Sequence, residues 1–157
     1  MLLRGYYRDG DYQEMYRLDL DCFAKPFQFD LWTMKQAAEA SSAIVAIAEE
    51  DRRDPSRYRM EGFVILHIEE KRDQRYAYLI TIDVAQSARR SGIGSVMLTH
   101  AEQQARAAGI RRVALHVAID NEPAIRFYER QQYERVGLAP GYYHDAGLDA
   151  LIYRKQL

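Results

Sequence analysis

A mixed α/β (α+β) domain is the fold this sequence predicts, on three observations. Residues 76–84 are nearly all apolar or aromatic, as in an interior strand covered on both faces, and lead into Arg89-Arg90-Ser91-Gly92-Ile93-Gly94-Ser95. Beyond that turn Met97, Ala101, Ala105 and Ala108 recur at helical spacing, and Gly109 is suited to a left-handed helix stop. Residues 113–119 then alternate, with Val113, Leu115, Val117 and Ile119 on one face and Ala114, His116 and Ala118 on the other.

The remaining elements follow from local signals. After a short apolar opening, Asp9 or Asp11 caps a helix carrying Met15, Leu18, Leu20 and Phe23, which Pro26 ends. Asp30 caps a second helix through Leu31, Met34 and Ala38, leaving the aromatic connection Phe23, Phe27, Phe29 between the two. Strands are expected at 43–48 and 62–68, joined by a charged, proline-containing hairpin loop over 51–57. Asn121 caps a further helix with Pro123 in its first turn and Ala124, Ile125, Phe127 and Tyr128 along it. Closing strands near 133–138 and 148–153 flank a tyrosine-rich hairpin at Gly141-Tyr142-Tyr143-His144.

The 157 residues, 48% of them hydrophobic, fit one domain over the whole chain with a core large enough to fold without staples. A formal net charge of −1 gives no global attraction to nucleic acid, so any phosphate binding must be local. The single cysteine, Cys22, has no internal disulfide partner, and neither a signal peptide nor a membrane-spanning segment is expected. A cytoplasmic protein is expected, monomeric or homodimeric, with no nucleic-acid or membrane partner and no metal.

Between a strand and a helix, Gly92 and Gly94 remove Cβ atoms, and the amides that open the helix are unpaired donors at its positive end. The expected product is an anion cradle for phosphates. A P-loop reading fails because its lysine and following Ser/Thr are absent. A dinucleotide fingerprint has Asp120 at the end of the next strand but only two of its three glycines.

The string from strand through glycine turn, helix and strand to Asn121, with Tyr128 seven residues on, resembles the acyl-CoA motif of the GNAT superfamily of N-acetyltransferases. That resemblance implies a mostly antiparallel sheet of six to seven strands, about four helices, and splayed fourth and fifth strands. It implies acetyl-CoA as cofactor, with the backbone at Ile82 and Val84 pairing with the pantetheine arm. Arg89 is implied as a cofactor-binding residue, and amides of Arg90, Ser91, Gly92, Ile93, Gly94 and Ser95 hold the pyrophosphate. Asn121, and Tyr128 through its hydroxyl, also meet the cofactor. For Arg89 and Arg90 the plain alternative is a solvated surface pair, and for Asn121 it is a helix cap alone.

The strings Tyr78-Leu79-Ile80-Thr81-Ile82, Leu115-His116-Val117 and Asn121 through Tyr128 look like protein N-terminal acetyltransferases, particularly the San type. In that group a tyrosine and a histidine at the positions of Tyr78 and His116 transfer protons. The related bacterial ribosomal-protein enzymes carry a glutamate where His116 stands and use a tyrosine at Tyr128's position as general acid. Attack on a thioester needs a neutral nitrogen, and an α-amine of pKa near 8 costs about 3 kcal/mol less to deprotonate than a lysine near 10.4. Histidine suits that task, and Tyr128 suits proton donation to a departing thiolate. His116, Tyr78 and Tyr128 are therefore the catalytic candidates, against a hydrogen-bonded strand histidine and two packing aromatics.

The resemblance also implies an acceptor groove between the connection of Phe23 and Phe27 and the Tyr142-Tyr143 hairpin, with Ile80 beneath. Two departures stand out. Phe23-Ala24-Lys25 replaces the San-type Phe-Pro-Val, which unsettles a methionine preference, and Gln132-Tyr133 replaces the usual Gly-Phe. Losing that glycine costs about 1 kcal/mol if the position is left-handed. The expected acceptor is a peptide or protein N-terminus, by direct attack in a ternary complex. The alternatives are a small-molecule amine, or a non-catalytic acyl-CoA-binding sensor. Cys22 has no evident activating partner, so no covalent acyl-enzyme is expected.

Overall fold

The computed structural model describes residues 1–50 and 59–157, so the loop expected over 51–57 lies outside the described residues. The described chain runs β1 (Leu2–Arg4), α1 (Asp11–Cys22), α2 (Leu31–Glu39), β2 (Ala43–Glu49), β3 (Met60–Lys71), β4 (Gln74–Val84), α3 (Ile93–Ala107), β5 (Arg112–Ala118), α4 (Glu122–Arg130), β6 (Glu134–Tyr143) and β7 (Leu148–Gln156). Its strands form one seven-stranded sheet ordered β1-β2-β3-β4-β5-β7-β6. Every pairing is antiparallel except β4 with β5. This is the mixed α/β architecture that the sequence predicts.

Helices cover both faces of the sheet. Asp83 of β4 meets Asp19 of α1, while the neighbouring Val84 packs toward Gly94 of α3, and successive strand residues point to opposite faces. The core between these layers includes Met15, Met34, Phe63, Ile65, Met97, Leu98 and Leu115, all essentially solvent-free. Gly62 sets how closely α3 approaches the sheet. A Cβ there would lie 2.7 Å from the Asp83 carbonyl oxygen and 2.7 Å from Met97 Cε.

Turn chemistry explains the connections. Arg72 and Asp73 take φ of 52° and 61° between β3 and β4, two successive left-handed residues as a twisted two-residue hairpin requires. Asp30 caps α2 by accepting from the Thr33 N–H at 2.7 Å, and Asn121 caps α4 by accepting from Ala124 N–H at 3.3 Å, both as expected. Gly109 stops α3 at φ 83°.

Several expectations change. Gly10, not Asp9 or Asp11, is the N-cap of α1. The buried Asp11 carboxylate instead accepts from Tyr7 N–H and from two Arg4 nitrogens, at 2.6 to 2.8 Å, tying the helix start to β1. Phe23 lies beyond the helix in extended backbone, and Leu20 is exposed, because Asp19 occupies the inward face beside Met15 and Leu18. On β4 only Ala77, Leu79, Thr81 and Asp83 are buried, and the opposite face is half-buried because β5 turns away from it. Ala108 and Ile119 are exposed, with Leu98 and Glu102 completing the inward face of α3. The tyrosine pair ends β6 itself, and a 3-10 turn over His144–Ala146 makes the reversal.

Gln132 stands at φ 70°, so the position where the resembling enzymes have glycine is left-handed. Its neighbour makes use of its extra oxygen. Tyr133 donates to Glu102 Oε1 at 2.9 Å and Lys155 Nζ donates to Glu102 Oε2 at 2.8 Å, satisfying a buried carboxylate between α3 and β7. Gln132→Gly is expected to raise unfolding stability by about 0.5–1 kcal/mol, the left-handed penalty less the added entropy of the unfolded chain. Urea denaturation checks this, and a loss of stability would contradict it.

Candidate active site

β4 and β5 share only two register pairs, Ala77 with Val113 and Tyr78 with Ala114. Past them β4 carries one residue too many against β3, since Ile65 faces Thr81 and Leu66 faces Leu79, leaving Ile80 as the bulge. Such a bulge bends a strand and increases its twist. β5 meanwhile follows β7 in an unbroken ladder from Arg112 to Ala118. The two central strands therefore part, and a cleft opens between them.

Tyr78 and His116 face one another across the start of that cleft. The Tyr78 hydroxyl lies 2.7 Å from His116 Nδ1. Tyr142 stacks on the imidazole, with centroids 4.1 Å apart and planes within 6°, and its hydroxyl is 3.4 Å from that of Tyr78. The β6–β7 register slips between Ala139 and Tyr143, and Gly141, at φ 64°, donates its N–H to Asp149 Oδ1 at 2.7 Å. That local break lets the strand end fold over the histidine. Tyr143 then meets Phe27 edge-on at 5.2 Å, joining β6 to the connection between α1 and α2.

Burial sets the electrostatics. It lowers the His116 pKa below the usual histidine range, which keeps the imidazole neutral. It raises Tyr78, with a further contribution from the hydrogen bond to Tyr142, and pushes Tyr143 up to about 12. The Tyr128 hydroxyl is raised too, first by burial and then by Tyr143 and Asp83. All three phenols hold their protons at neutral pH.

The turn after β4 has a shape suited to anions. Arg90 and Gly92 are left-handed, at φ 62° and 87°, and Gly92 is the N-cap of α3. Alternation of left- and right-handed residues turns successive N–H groups into one concavity, which the first amides of α3 continue. The two glycines serve different ends. A Cβ on Gly92 would meet nothing within 4 Å, so its φ is what needs glycine, whereas a Cβ on Gly94 would lie 3.4 Å from the Phe127 ring, so that glycine admits α4. Side chains nearby are partly engaged: Ser91 Oγ donates to Ala88 O, Ser95 Oγ donates to Gln131 Oε1 at 2.9 Å, and Arg89 Nε–H donates to Val84 O at 3.2 Å. The Cys22 thiol donates to that same carbonyl at 3.4 Å, and burial raises its pKa, so it remains a protonated thiol.

Of the residues singled out in the sequence, Tyr78, His116, Tyr142, Tyr143 and Phe27 are thus joined in one contact chain. Ile80, Ile82 and Val84 line the half-buried face of β4 beyond Tyr78, while Arg90, Gly92, Ile93 and Gly94 form the turn below. Phe23 is half-buried at the end of α1, Asn121 caps α4, and Tyr128 is buried against Phe127 and Tyr133. Sequence reasoning missed Asp19 and Asp83, two buried carboxyl groups beside this site. The signal was available: an aspartate inside an apolar strand, and another on the apolar face of a helix. No group of three or more His, Cys, Asp or Glu side chains able to hold a metal occurs among the described residues.

Known proteins place this architecture. The sequence profile of the Acetyltransferase (GNAT) family matches residues 12–133. The chain belongs to that family. Probable N-acetyltransferase san of Drosophila melanogaster is 36% identical over 83 residues, 52% of this GNAT chain and 45% of the relative, so the chain spans under half of that relative's length. In fold it is similar to Arabidopsis thaliana NAA60 in complex with acetyl-CoA, with TM-score 0.85 and 20% identity over 99% of this chain and 98% of the other. It is also similar to the ribosomal-protein-S18-alanine N-acetyltransferase of Escherichia coli, with TM-score 0.79 and 20% identity over 99% and 92%. No helix among the described residues is long and apolar enough to cross a membrane.

Since burial is what depresses the His116 pKa, Tyr142→Ala should return it toward the ordinary value of about 6.5 by re-exposing the ring to water. An NMR pH titration of the imidazole reads this directly. An unchanged midpoint would show that Tyr142 does not shield it.

Proposed function

We propose that this GNAT chain transfers an acetyl group from acetyl-CoA to the N-terminal α-amine of a peptide or protein, by direct attack in a ternary complex. The observation that carries this reading is the Tyr78–His116 pair, set where β4 and β5 part and roofed by Tyr142. Relatives named as N-terminal acetyltransferases support the choice of acceptor.

The residues present fit acetyl-CoA. Beyond Tyr78 no described strand pairs with the β5-facing edge of β4, leaving an edge that an extended amide-bearing arm can join as an added strand. The Val84 carbonyl is already engaged by Arg89 and Cys22, so the free backbone groups lie upstream of it, toward Ile82. The amides from Arg90 to Ser95 supply a cradle for a diphosphate at the opening of α3. When bound, acetyl-CoA supplies the activated acyl carbon. Cys22 stays protonated, so the chain offers no thiolate for an acyl-enzyme route.

Proton handling follows from the geometry. Tyr78 keeps its proton, and the reading assigns it as donor toward His116 Nδ1, with the imidazole proton assigned to Nε2. The Tyr78 oxygen is then the acceptor facing the cleft. As it takes a proton from the incoming amine, it passes its own to Nδ1, so His116 is the base and Tyr78 the relay. Tyr128 holds a proton on its Oη for the leaving group. The contact of Phe27 with Tyr143 closes the groove over the acceptor backbone.

Screening free-CoA release against peptides of varied first residue and a panel of small amines tests the reading. Turnover with peptides is expected. Turnover with small amines only, or acetyl-CoA binding with no release at all, would contradict it. On the best peptide, His116→Ala should lower kcat by about 100-fold or more while leaving acetyl-CoA affinity near the wild-type value. In the wild type, kcat should fall only as the pH drops through the lowered His116 pKa, because protonation removes the base. An unchanged kcat in the variant would remove His116 from the mechanism.

A further inference from the structure

Asp19 on α1 and Asp83 on β4, two elements that the Cys22 thiol joins by donating to the Val84 carbonyl at 3.4 Å, are 0% and 1% exposed and act electrostatically on each other. Each uses one oxygen elsewhere. Asp19 Oδ2 accepts from the Phe29 N–H at 2.8 Å, and Asp83 Oδ1 accepts from the Thr81 hydroxyl at 2.6 Å. Among the described residues the remaining two oxygens, Asp19 Oδ1 and Asp83 Oδ2, are the buried side-chain atoms with no donor. Two adjacent carboxylates sealed from water cannot both be charged, and an unmet buried acceptor costs about 1–3 kcal/mol. One proton between those two oxygens satisfies both.

The position of the pair gives that proton a consequence. Phe29 closes the connection that carries Phe27, and Phe27 meets Tyr143 over the cleft. Thr81 and Asp83 belong to the stretch of β4 beyond the bulge, where the strand leaves β5. We propose that Asp19 and Asp83 share a single proton and act as positioning residues, fixing the acceptor-side connection to the parted edge of β4. The inference rests on reading that connection as a wall of the acceptor groove.

Other groups facing Asp83 do not replace the proton. Arg89 contributes a favourable charge but is exposed, with Nε committed to Val84, while Cys22 and Tyr128 approach as neutral groups. From β3 the register partner is the apolar Phe63. An acid whose pKa is raised by folding holds its proton below that value and loses it as the pH rises through it. The latch is therefore closed below that raised value and opens as the pH rises through it.

Amide substitution separates a shared proton from mere packing. Asp83→Asn and Asp19→Asn each leave one donor facing one acceptor, so either single variant keeps the latch and loses its pH dependence. Asp19→Asn with Asp83→Asn sets donor against donor and opens it. Infrared spectra of the wild type on the acid side of that transition should show one protonated carboxyl stretch that both single variants lack. The protection factor of the Phe29 amide should fall with rising pH in the wild type, stay flat in Asp83→Asn, and drop on the order of tenfold in the double variant. With the best peptide of the panel, KM should rise by a similar factor in the double variant, while KM for acetyl-CoA stays near wild type. No carboxyl stretch in the wild type, or a double variant no worse than the singles, would overturn the proposal. The spectra and the exchange need no acceptor, so failure of the peptide screen alone leaves them to decide the pair.

Discussion

Two register pairs are all that hold β4 to β5, and what matters at this site follows from their parting. A parallel pair that ran its full length would bury its backbone groups against each other and leave neither a free edge nor a cleft. Here the bulge at Ile80 bends one strand away, while the other stays straight on β7. The sheet remains one sheet, because the pairs beside Tyr78 continue it. Immediately past the break it becomes a slot whose walls are backbone on one side and His116 on the other.

Helices placed by ordinary packing then furnish the slot. Gly62 lets α3 approach β3 and β4, and Gly94 lets Phe127 of α4 approach α3, so the left-handed turn at Gly92 lies just below the parted edge. The proposed phosphate cradle and the proposed proton-transfer pair thus lie at opposite ends of the same gap. On the other side, the connection between α1 and α2 meets the end of β6 through Phe27 and Tyr143. Dryness is what these contacts add chemically. It keeps His116 neutral and Tyr78, Tyr128 and Tyr143 protonated, which is the distribution of protons that the proposed direct attack requires.

Much of this could be read along the chain. The glycine turn, the alternation around His116, and the Asp30 and Asn121 caps are local signals, and local signals survive without knowledge of tertiary contacts. The bulge at Ile80 left no mark in the sequence, because it depends on how β3 and β4 pair over some fifteen residues of intervening chain. Helix α1 was misjudged at its start for a similar reason: Asp11 looks like a cap, but Arg4 on β1 and the Tyr7 amide claim its carboxylate. Tyr142 was legible as part of an aromatic hairpin, whereas its stacking on His116 needs the slip at Pro140 and Gly141. Asp19 and Asp83 escaped because each is explicable alone, one as a helix residue and one as a strand end, and only the fold brings them together.

Backbone amide shifts of isotope-labelled protein titrated with acetyl-CoA test the central claim most directly, because they report on the parted edge and the turn without any acceptor. The account predicts that the largest changes fall on residues 79–83 of β4 and on Arg90 to Ser95, with His116 ring signals moving alongside. Changes concentrated away from β4 and the start of α3, or no change at millimolar acetyl-CoA, would contradict it.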